Sequence, residues 1–348
     1  MKICFTGGGT AGHIIPNIAL IDEARKYYNK IIYIGGIDSM EKHMISPIKD
    51  VKFYDIHTAK LVRKSVFKNI KLPINLIRGA LDAKKILKRE HPDVIFSKGG
   101  YVSVPVMIAA KKLNIPLFCH ESDLTLGLAN KIVSKYAKIT FTSFEETAKK
   151  LPNGVWSGSP IKNKILLATR ENSRKKLNIK TNKPVLLITG GSLGAKTINE
   201  TVFSALDELT RRYFVLHILG KTPKPNFKSP NYRCVEFADN MEDYIASADI
   251  VVSRAGSNTI FELLQKHRPM LLIPLSKGSR GDQIENAKVF ESKGFAKILY
   301  ESNLSKETLL KSLEEIKSDA NKIIDAQKKQ NLPNGVDTIM HHLKKIKK

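Results

Sequence analysis

His13 follows a run of glycines, Gly7, Gly8, Gly9 and Gly12, that itself follows the apolar segment Lys2–Thr6. An imidazole at the first turn of a helix lies beside unpaired backbone N–H groups, where the positive helix end favours its neutral form and suits it to general-base work. Packing or helix capping is the plainer use of a histidine there. His120-Glu121-Ser122-Asp123 ends a second apolar segment, and polar groups at the carboxyl end of a strand in an open α/β sheet face the ligand crevice. Glu121 and Asp123 are therefore alternatives to His13 as proton acceptor. Ser97-Lys98-Gly99-Gly100-Tyr101 adds a further small-residue turn on the same rim.

The second half of the chain repeats the device. Gly190-Gly191-Ser192-Leu193-Gly194-Ala195 follows the apolar run Val185–Thr189; a strand, a turn without side chains and then a helix exposes N–H groups to an anion. Ser253-Arg254-Ala255-Gly256-Ser257-Asn258-Thr259-Ile260-Phe261-Glu262 leaves another strand and turns on Gly256. It enters a helix with Ser257 or Asn258 as cap. A buried carboxylate at Glu262 can accept both hydroxyls of a ribose. Asp282 and Gln283 open a later helix, where they can read sugar hydroxyls or cap the helix.

No Asp-x-Asp pair occurs, so helix N-termini and lysines, and not a metal ion, are expected to neutralise a diphosphate. No cofactor is implied. Gly7-x-Gly9-x-x-Gly12 formally matches the dinucleotide fingerprint, but the next strand ends Ile34-Gly35-Gly36 without the acidic residue that would hold a ribose. A nicotinamide enzyme is disfavoured.

Strand and helix signals alternate along the chain, as in parallel sheets covered on both faces. Strands are predicted at Lys2–Thr6, Ile31–Gly35, Val51–Ile56, Val94–Ser97, Pro116–His120 and Ile139–Thr142, then at Val185–Thr189, Phe214–Leu219, Cys234–Phe237, Ile250–Ser253, Met270–Pro274 and Ala296–Leu299. Helices are predicted between them, among them Ile15–Tyr28, Ile70–Arg89 and Ala195–Thr210, with a helical tail after Ser305. The chain has 348 residues, enough for two cores. The expected division is residues 1–160, 161–325 and a C-terminal helix at 326–348 that packs back on the first domain.

The three cysteines are scattered through apolar runs, which argues against disulfides and a zinc site and for a reducing compartment. No apolar run is long enough to span a bilayer, and the immediate opening strand leaves no room for a signal peptide. The net charge of +25 is concentrated in Lys60–Arg89 and Lys344–Lys348. Without interleaved aromatics or a nucleic-acid motif, it points to an anionic membrane surface and not to nucleic acid. In and just before the segment 70–89, Ile70, Leu72, Ile74, Leu76, Ile77 and Leu81 alternate with Lys68, Lys71, Arg78, Lys84 and Lys85, a basic amphipathic pattern that can lie on such a surface or simply cover a domain.

Taken together, GGGTAGHIIPNIAL, SKGGYVSVPV, HESDLTLGLANK, ITGGSLGA, SRAGSNTIFEL and RGDQIENA resemble, in this order, the MurG family. These are peripheral membrane enzymes that transfer N-acetylglucosamine to lipid I, giving lipid II for peptidoglycan and hence for cell-wall growth, shape and division. The resemblance implies a GT-B fold, two Rossmann-like domains facing a central cleft. It implies an inverting transfer from UDP-GlcNAc at the cytoplasmic face of the membrane. UDP-GlcNAc would sit mainly in the C-terminal half, with Ser192 at the phosphates and Glu262 at the ribose. Arg254 and Ser257, Asn258, Thr259 and Ile260 would surround the nucleotide, and Gln283 with Asp282 would read the GlcNAc hydroxyls. Thr10, Ala11 and Gly12 would approach the donor or the acceptor diphosphate, with His13 near the reacting centre.

Two departures stand out. Many members carry HEQN where this chain has HESD, so Asp123 replaces an amide that contacts donor sugar. Lys162 ends the segment Gly158–Lys162 where many carry arginine, keeping the charge and losing the bidentate fork. Two other readings remain open: a diacylglycerol glycosyltransferase of the same architecture, and a non-catalytic protein that binds sugar nucleotide or nucleic acid.

Overall fold

The structure, a computed structural model, describes residues 1–58, 72–191, 194–276 and 280–346. The chain forms two compact units, Met1–Lys162 with Pro333–Lys348, and Asn163–Leu332. The changes of unit thus fall at 162/163 and 332/333, against an expectation of 160/161 and 325/326.

The first unit is a seven-stranded parallel sheet: β1 Lys2–Thr6, β2 Lys30–Gly36, β3 Val51–Ile56, β4 Val94–Ser97, β5 Leu117–Glu121, β6 Ile139–Thr142 and β7 Gly154–Trp156. The order is β3-β2-β1-β4-β5-β6-β7. Its central strands are buried along their length because both faces are covered, which is why they read as unbroken apolar runs. Helices α1 Ala11–Ala24 and α2 Met40–Ile45 precede α3 Leu72–Glu90, α4 Ser103–Lys112 and α5 Leu128–Val133. Ile14, Leu20 and Ile21 of α1 build the core of one face, and Ala83, Ile86 and Leu87 of α3 with Val106 and Ala110 of α4 build the other. The chain's last helix, Gly335–Leu343, starts at a polar cap supplied by Asn334, whose side chain accepts from the amides of Val336 and Asp337. It buries Ile339, Met340 and Leu343 in the α1-side core, each worth about 1.5–3 kcal/mol.

The second unit is a six-stranded parallel sheet of β8 Val185–Thr189, β9 Phe214–Ile218, β10 Tyr232–Val235, β11 Ile250–Ser253, β12 Met270–Leu272 and β13 Ala296–Ile298. Its order is β10-β9-β8-β11-β12-β13. The helix Lys306–Lys329 begins with a reciprocal capping box between Ser305 and Thr308 and lays Leu309, Leu313, Ile316 and Ile323 on the core. In both sheets the strand order reverses beside the first strand of the unit, at β1/β4 and at β8/β11. In open α/β sheets that reversal, at the strands' carboxyl ends, is where a ligand crevice opens.

Several elements depart from the sequence expectation, among them β10, which lies at Tyr232–Val235, two residues before the predicted Cys234–Phe237. Helix α1 starts at Ala11, four residues early, and accommodates Pro16 near its start, where few backbone hydrogen bonds are lost. The predicted helix Ala195–Thr210 is two helices, Lys196–Ser204 and Leu206–Arg212, broken at Ala205. Strand β7 has no counterpart among the predicted strands; it is a short, half-buried edge strand.

Candidate active site

In the first unit the loops after β1, β4 and β5 lock together. The amide of Gly8 donates to Gly99 O at 3.3 Å and that of Lys98 to Thr6 O at 2.9 Å. A Cβ on Gly100, whose φ is +84°, would stand 2.2 Å from Gly8 O, so the two glycine turns touch backbone to backbone and admit no side chain between them. Tyr33 OH donates to Gly7 O at 2.5 Å, and Asn17 Nδ2 donates to Thr6 O at 3.1 Å. The turn after β1 is thereby rigid.

Glu41, on the six-residue α2 and fully buried, accepts from Gly9 N at 3.0 Å and from Gly36 N at 3.1 Å. One N–H of the first glycine turn is therefore already taken by a carboxylate. Sequence reasoning missed Glu41, because nothing local links it to a glycine 32 residues away.

Thr10 takes the N-cap position of α1, with Ala11, Gly12 and His13 as the first helical residues. His13 Nδ1 pairs with Thr10 Oγ1 at 3.1 Å, which orients the imidazole on the rim. On the far side of β4, Glu121 is 5 % exposed. Its Oε1 accepts from Asp123 N at 3.0 Å; its Oε2 accepts from Gly127 N at 2.8 Å and Asn130 Nδ2 at 3.0 Å. Both oxygens are thus spent on shaping the loop that carries Ser122 and Asp123. Lys98, buried beneath the first glycine turn, donates from Nζ to Ser122 Oγ. His120 is held neutral, chiefly by burial and then by the charge of Lys98, and pairs through Nε2 with Gly158 O at 3.1 Å. Lys162 is the last residue of the unit's main segment.

In the second unit, Gly191 (φ +85°) and Gly194 (φ +76°) make the turn after β8, and a Cβ on Gly194 would stand 2.4 Å from Leu219 O. Ser192 lies outside the described residues. The expected caps of the next site helix are corrected: Gly256, extended at φ −68° and ψ 129°, occupies the N-cap without a side-chain cap, and Ser257 and Asn258 are the first two helical residues. Thr259, Ile260 and Glu262 follow, with Ile260 buried and Glu262 half-buried.

Arg254 is a wall residue. Its Nη1 donates to Ile273 O at 3.1 Å, and its Nη2 to Glu301 Oε1 at 2.5 Å. Glu301 in turn accepts from Ser276 Oγ at 2.8 Å. Burial pushes the Glu301 carboxyl up, but the bonds from Arg254 and Ser276 and the arginine's charge outweigh it and leave it below its ordinary range. Gln283 Oε1 accepts from Leu275 N at 3.0 Å, and Asp282 pairs with Arg280 Nε at 2.9 Å. Arg254 thus ties the loop after β11 to the end of β12, and Gln283 ties Leu275 to the helix Asp282–Ser292.

Each unit therefore carries its predicted residues at the carboxyl ends of its central strands: Thr10 to His13, Glu121 and Asp123 in the first, and Arg254, Ser257 to Ile260, Glu262, Asp282 and Gln283 in the second. Among the described residues no cluster of three or more His, Cys, Asp or Glu is arranged to hold a metal ion.

Comparison with known proteins also finds two domains in succession, although the second family model runs on through the last helix, which the structure packs on the first unit. The glycosyltransferase family 28 N-terminal domain matches residues 3–142 and the C-terminal domain residues 185–343. A UDP-N-acetylglucosamine–N-acetylmuramyl-(pentapeptide) pyrophosphoryl-undecaprenol N-acetylglucosamine transferase of Bacillus thuringiensis is 45% identical, covering 98% of this chain and 99% of its own. One from Clostridium perfringens is 43% identical, with 99% and 98% covered. The crystal structure of Acinetobacter baumannii MurG superposes with a TM-score of 0.77 at 23% identity, covering 99% of each chain. The fold is the GT-B fold, built from two Rossmann-like domains with parallel sheets. The chain belongs to glycosyltransferase family 28, and within it to the family of UDP-N-acetylglucosamine–N-acetylmuramyl-(pentapeptide) pyrophosphoryl-undecaprenol N-acetylglucosamine transferases.

Proposed function

We propose that this enzyme moves N-acetylglucosamine from UDP-GlcNAc to the 4-hydroxyl of the MurNAc sugar in undecaprenyl-diphospho-MurNAc-pentapeptide, converting lipid I into lipid II. The observation that carries this reading is the near-full-length match, through both domains, to transferases named for that reaction. That match favours this reading over the diacylglycerol alternative.

The reaction is a single displacement with inversion. The acceptor oxygen attacks the anomeric carbon as the bond to UDP breaks; positive charge grows on the sugar and negative charge on the departing diphosphate. The second unit holds the donor. Glu262 accepts the ribose hydroxyls, the Ser257–Ile260 turn and Arg254's wall bound the nucleotide, and Gln283 and Asp282 read the sugar. Ser192 and the N–H groups at the start of the helix Lys196–Ser204 stabilise the leaving diphosphate.

One glycine supports this placement strongly. Gly256 has an ordinary φ of −68°, and an added Cβ would meet nothing within 4 Å. Neither backbone conformation nor packing among the described residues requires glycine there. Close approach of a ligand to the backbone would account for it.

The first unit holds the acceptor. Thr10, Ala11 and Gly12 approach its diphosphate, and His13 takes the proton of the attacking hydroxyl. Glu121 shapes the loop that presents Asp123, and Lys162 supplies a positive charge. In a thermal-shift titration UDP and UDP-GlcNAc stabilise the protein and RNA does not, and UDP is released only once lipid I is added. Stabilisation by RNA alone contradicts the reading.

The acceptor is a polyprenyl lipid, so we place the enzyme peripherally on the cytoplasmic face of the membrane. No helix of the described residues is long and apolar enough to cross a bilayer. On α3, Ile74, Ile77 and Leu81 are exposed among Arg78, Lys84 and Lys85. On and just beyond α5, Leu128, Ile132 and Tyr136 are exposed at every fourth position beside Lys131 and Lys135, and Lys111 Nζ lies 4.1 Å from the Tyr136 ring. Helices α3 and α5 flank α4, so both stripes belong to one side of the unit. Apolar side chains ringed by lysines match an anionic lipid surface. Lys68, Ile70 and Lys71 lie outside the described residues. Ile77→Asp with Leu81→Asp is expected to cut co-sedimentation with anionic vesicles by about tenfold while leaving UDP binding intact. Binding indifferent to this change, to salt and to anionic lipid content contradicts the assignment.

A further inference from the structure

The lysine-glycine turn after β4 has no role in the reaction as described so far. Lys98 is the first residue beyond β4, at the point where the sheet order reverses between β1 and β4. Its side chain is only 1 % exposed. The stem runs under the first glycine turn: a Cβ on Gly7 would lie 3.1 Å from Lys98 Cβ, so the bare Gly7 makes room for it. The head emerges on the other side of β4 and donates to Ser122 Oγ.

We propose that Lys98 is a positioning residue of this transferase, whose buried ammonium holds the Ser122–Asp123 turn in the shape and charge that the transfer requires. The inference rests on the transferase reading above. Three features separate it from ordinary packing. First, a methionine would fill the same channel without the desolvation that a buried ammonium suffers, so packing alone does not account for lysine. Second, the amine donates to the Ser122 hydroxyl, while Glu121 accepts from Asp123 N, Gly127 N and Asn130 Nδ2 and acts on the amine through its charge. Third, Lys98 spans from the turn that starts at Gly7 to the turn that carries Asp123, the two loops to which His13 and the acceptor-side carboxylate belong.

The charged and titratable groups around the amine are Cys119, His120, Glu121 and Asp123 from β5 and its loop, with Glu41 from α2 on the opposite side of the glycine turn. Burial lowers the amine, against the opposing pull of Glu121, Asp123 and Cys119, to about 8. His120 is neutral, in part because Lys98 is charged. Below that pH the ammonium is present and the turn is held; above it the proton leaves and the hold is lost. The cost to stability runs the other way. An amine lowered on folding makes the protein less stable while it is charged, and that cost is relieved as pH rises from about 8 toward the ordinary lysine value.

The test measures kcat, the KM for UDP-GlcNAc and thermal unfolding for the wild type, Lys98→Met and Ser122→Ala, with lipid I as acceptor, from about pH 6 to pH 10. Wild-type kcat is expected to fall above about pH 8. Lys98→Met is expected to lose about 10- to 100-fold in kcat at neutral pH, to lose that alkaline fall, and to keep the donor KM within about twofold. Its unfolding temperature at neutral pH is unchanged or higher, because a buried charge has gone. Ser122→Ala, which removes one hydroxyl, lowers kcat in the same direction and decides the matter if Lys98→Met does not fold. Lys98→Met with wild-type kcat, or with the wild-type alkaline limb intact, overturns the assignment, as does Ser122→Ala indistinguishable from wild type. A wild type that makes no product from UDP-GlcNAc and lipid I overturns the transferase reading itself.

Discussion

Replacing His13 by alanine is expected to lower kcat by about two to four orders of magnitude, with the KM for UDP-GlcNAc changed less than about threefold. The imidazole sits at the third position of α1, and Thr10 Oγ1 fixes its Nδ1 at 3.1 Å. The competing bases are placed differently. Glu121 accepts three N–H bonds, and protonating it to remove the acceptor's proton would break the loop that carries Asp123. Glu121→Gln therefore lowers unfolding temperature as well as activity, whereas His13→Ala, at a half-buried position on the rim, changes activity alone. Near-normal kcat in His13→Ala, together with loss of turnover in Asp123→Asn, would move the base to Asp123.

Replacing Glu262 by alanine is expected to raise the KM for UDP-GlcNAc by about two orders of magnitude and to abolish stabilisation by UDP. A hydrogen bond to a charged group is worth about 1.5–3 kcal/mol, and a carboxylate facing a ribose makes two; partial exposure of Glu262 brings the sum down to about 3 kcal/mol. Glu262→Gln keeps one acceptor oxygen and gives an intermediate KM. The readout is a direct titration of UDP, since the ribose is shared by donor and product. Unchanged affinity for UDP in Glu262→Ala would place the nucleotide elsewhere.

The parts of the fold that a single strand or helix determines were legible in the sequence. Strands such as Val94–Ser97 and Val185–Thr189 are buried on both faces and appear as bare apolar runs between glycine turns. The half-buried edge strand Gly154–Trp156 has no such pattern. The glycine turns and the positions of His13 and Glu121 at strand ends were legible because each follows an apolar run directly, and Glu262 was legible as lying one turn into the helix after β11. Glu41 and Lys98 were not. One is an acid on a short helix, the other one of 58 basic residues; their burial follows from which loops the sheet order brings together. The place of Arg254 just past β11 was legible, but its partner Glu301, 47 positions away, was not.

The most direct test of the account supplies UDP-GlcNAc labelled in the sugar to the purified protein with lipid I or diacylglycerol in mixed micelles, with and without EDTA. The expected result is label in the lipid I product with one UDP released per sugar transferred, undiminished by EDTA, and none in diacylglycerol. Label in diacylglycerol and not in lipid I, or transfer that EDTA abolishes and magnesium restores, would contradict it.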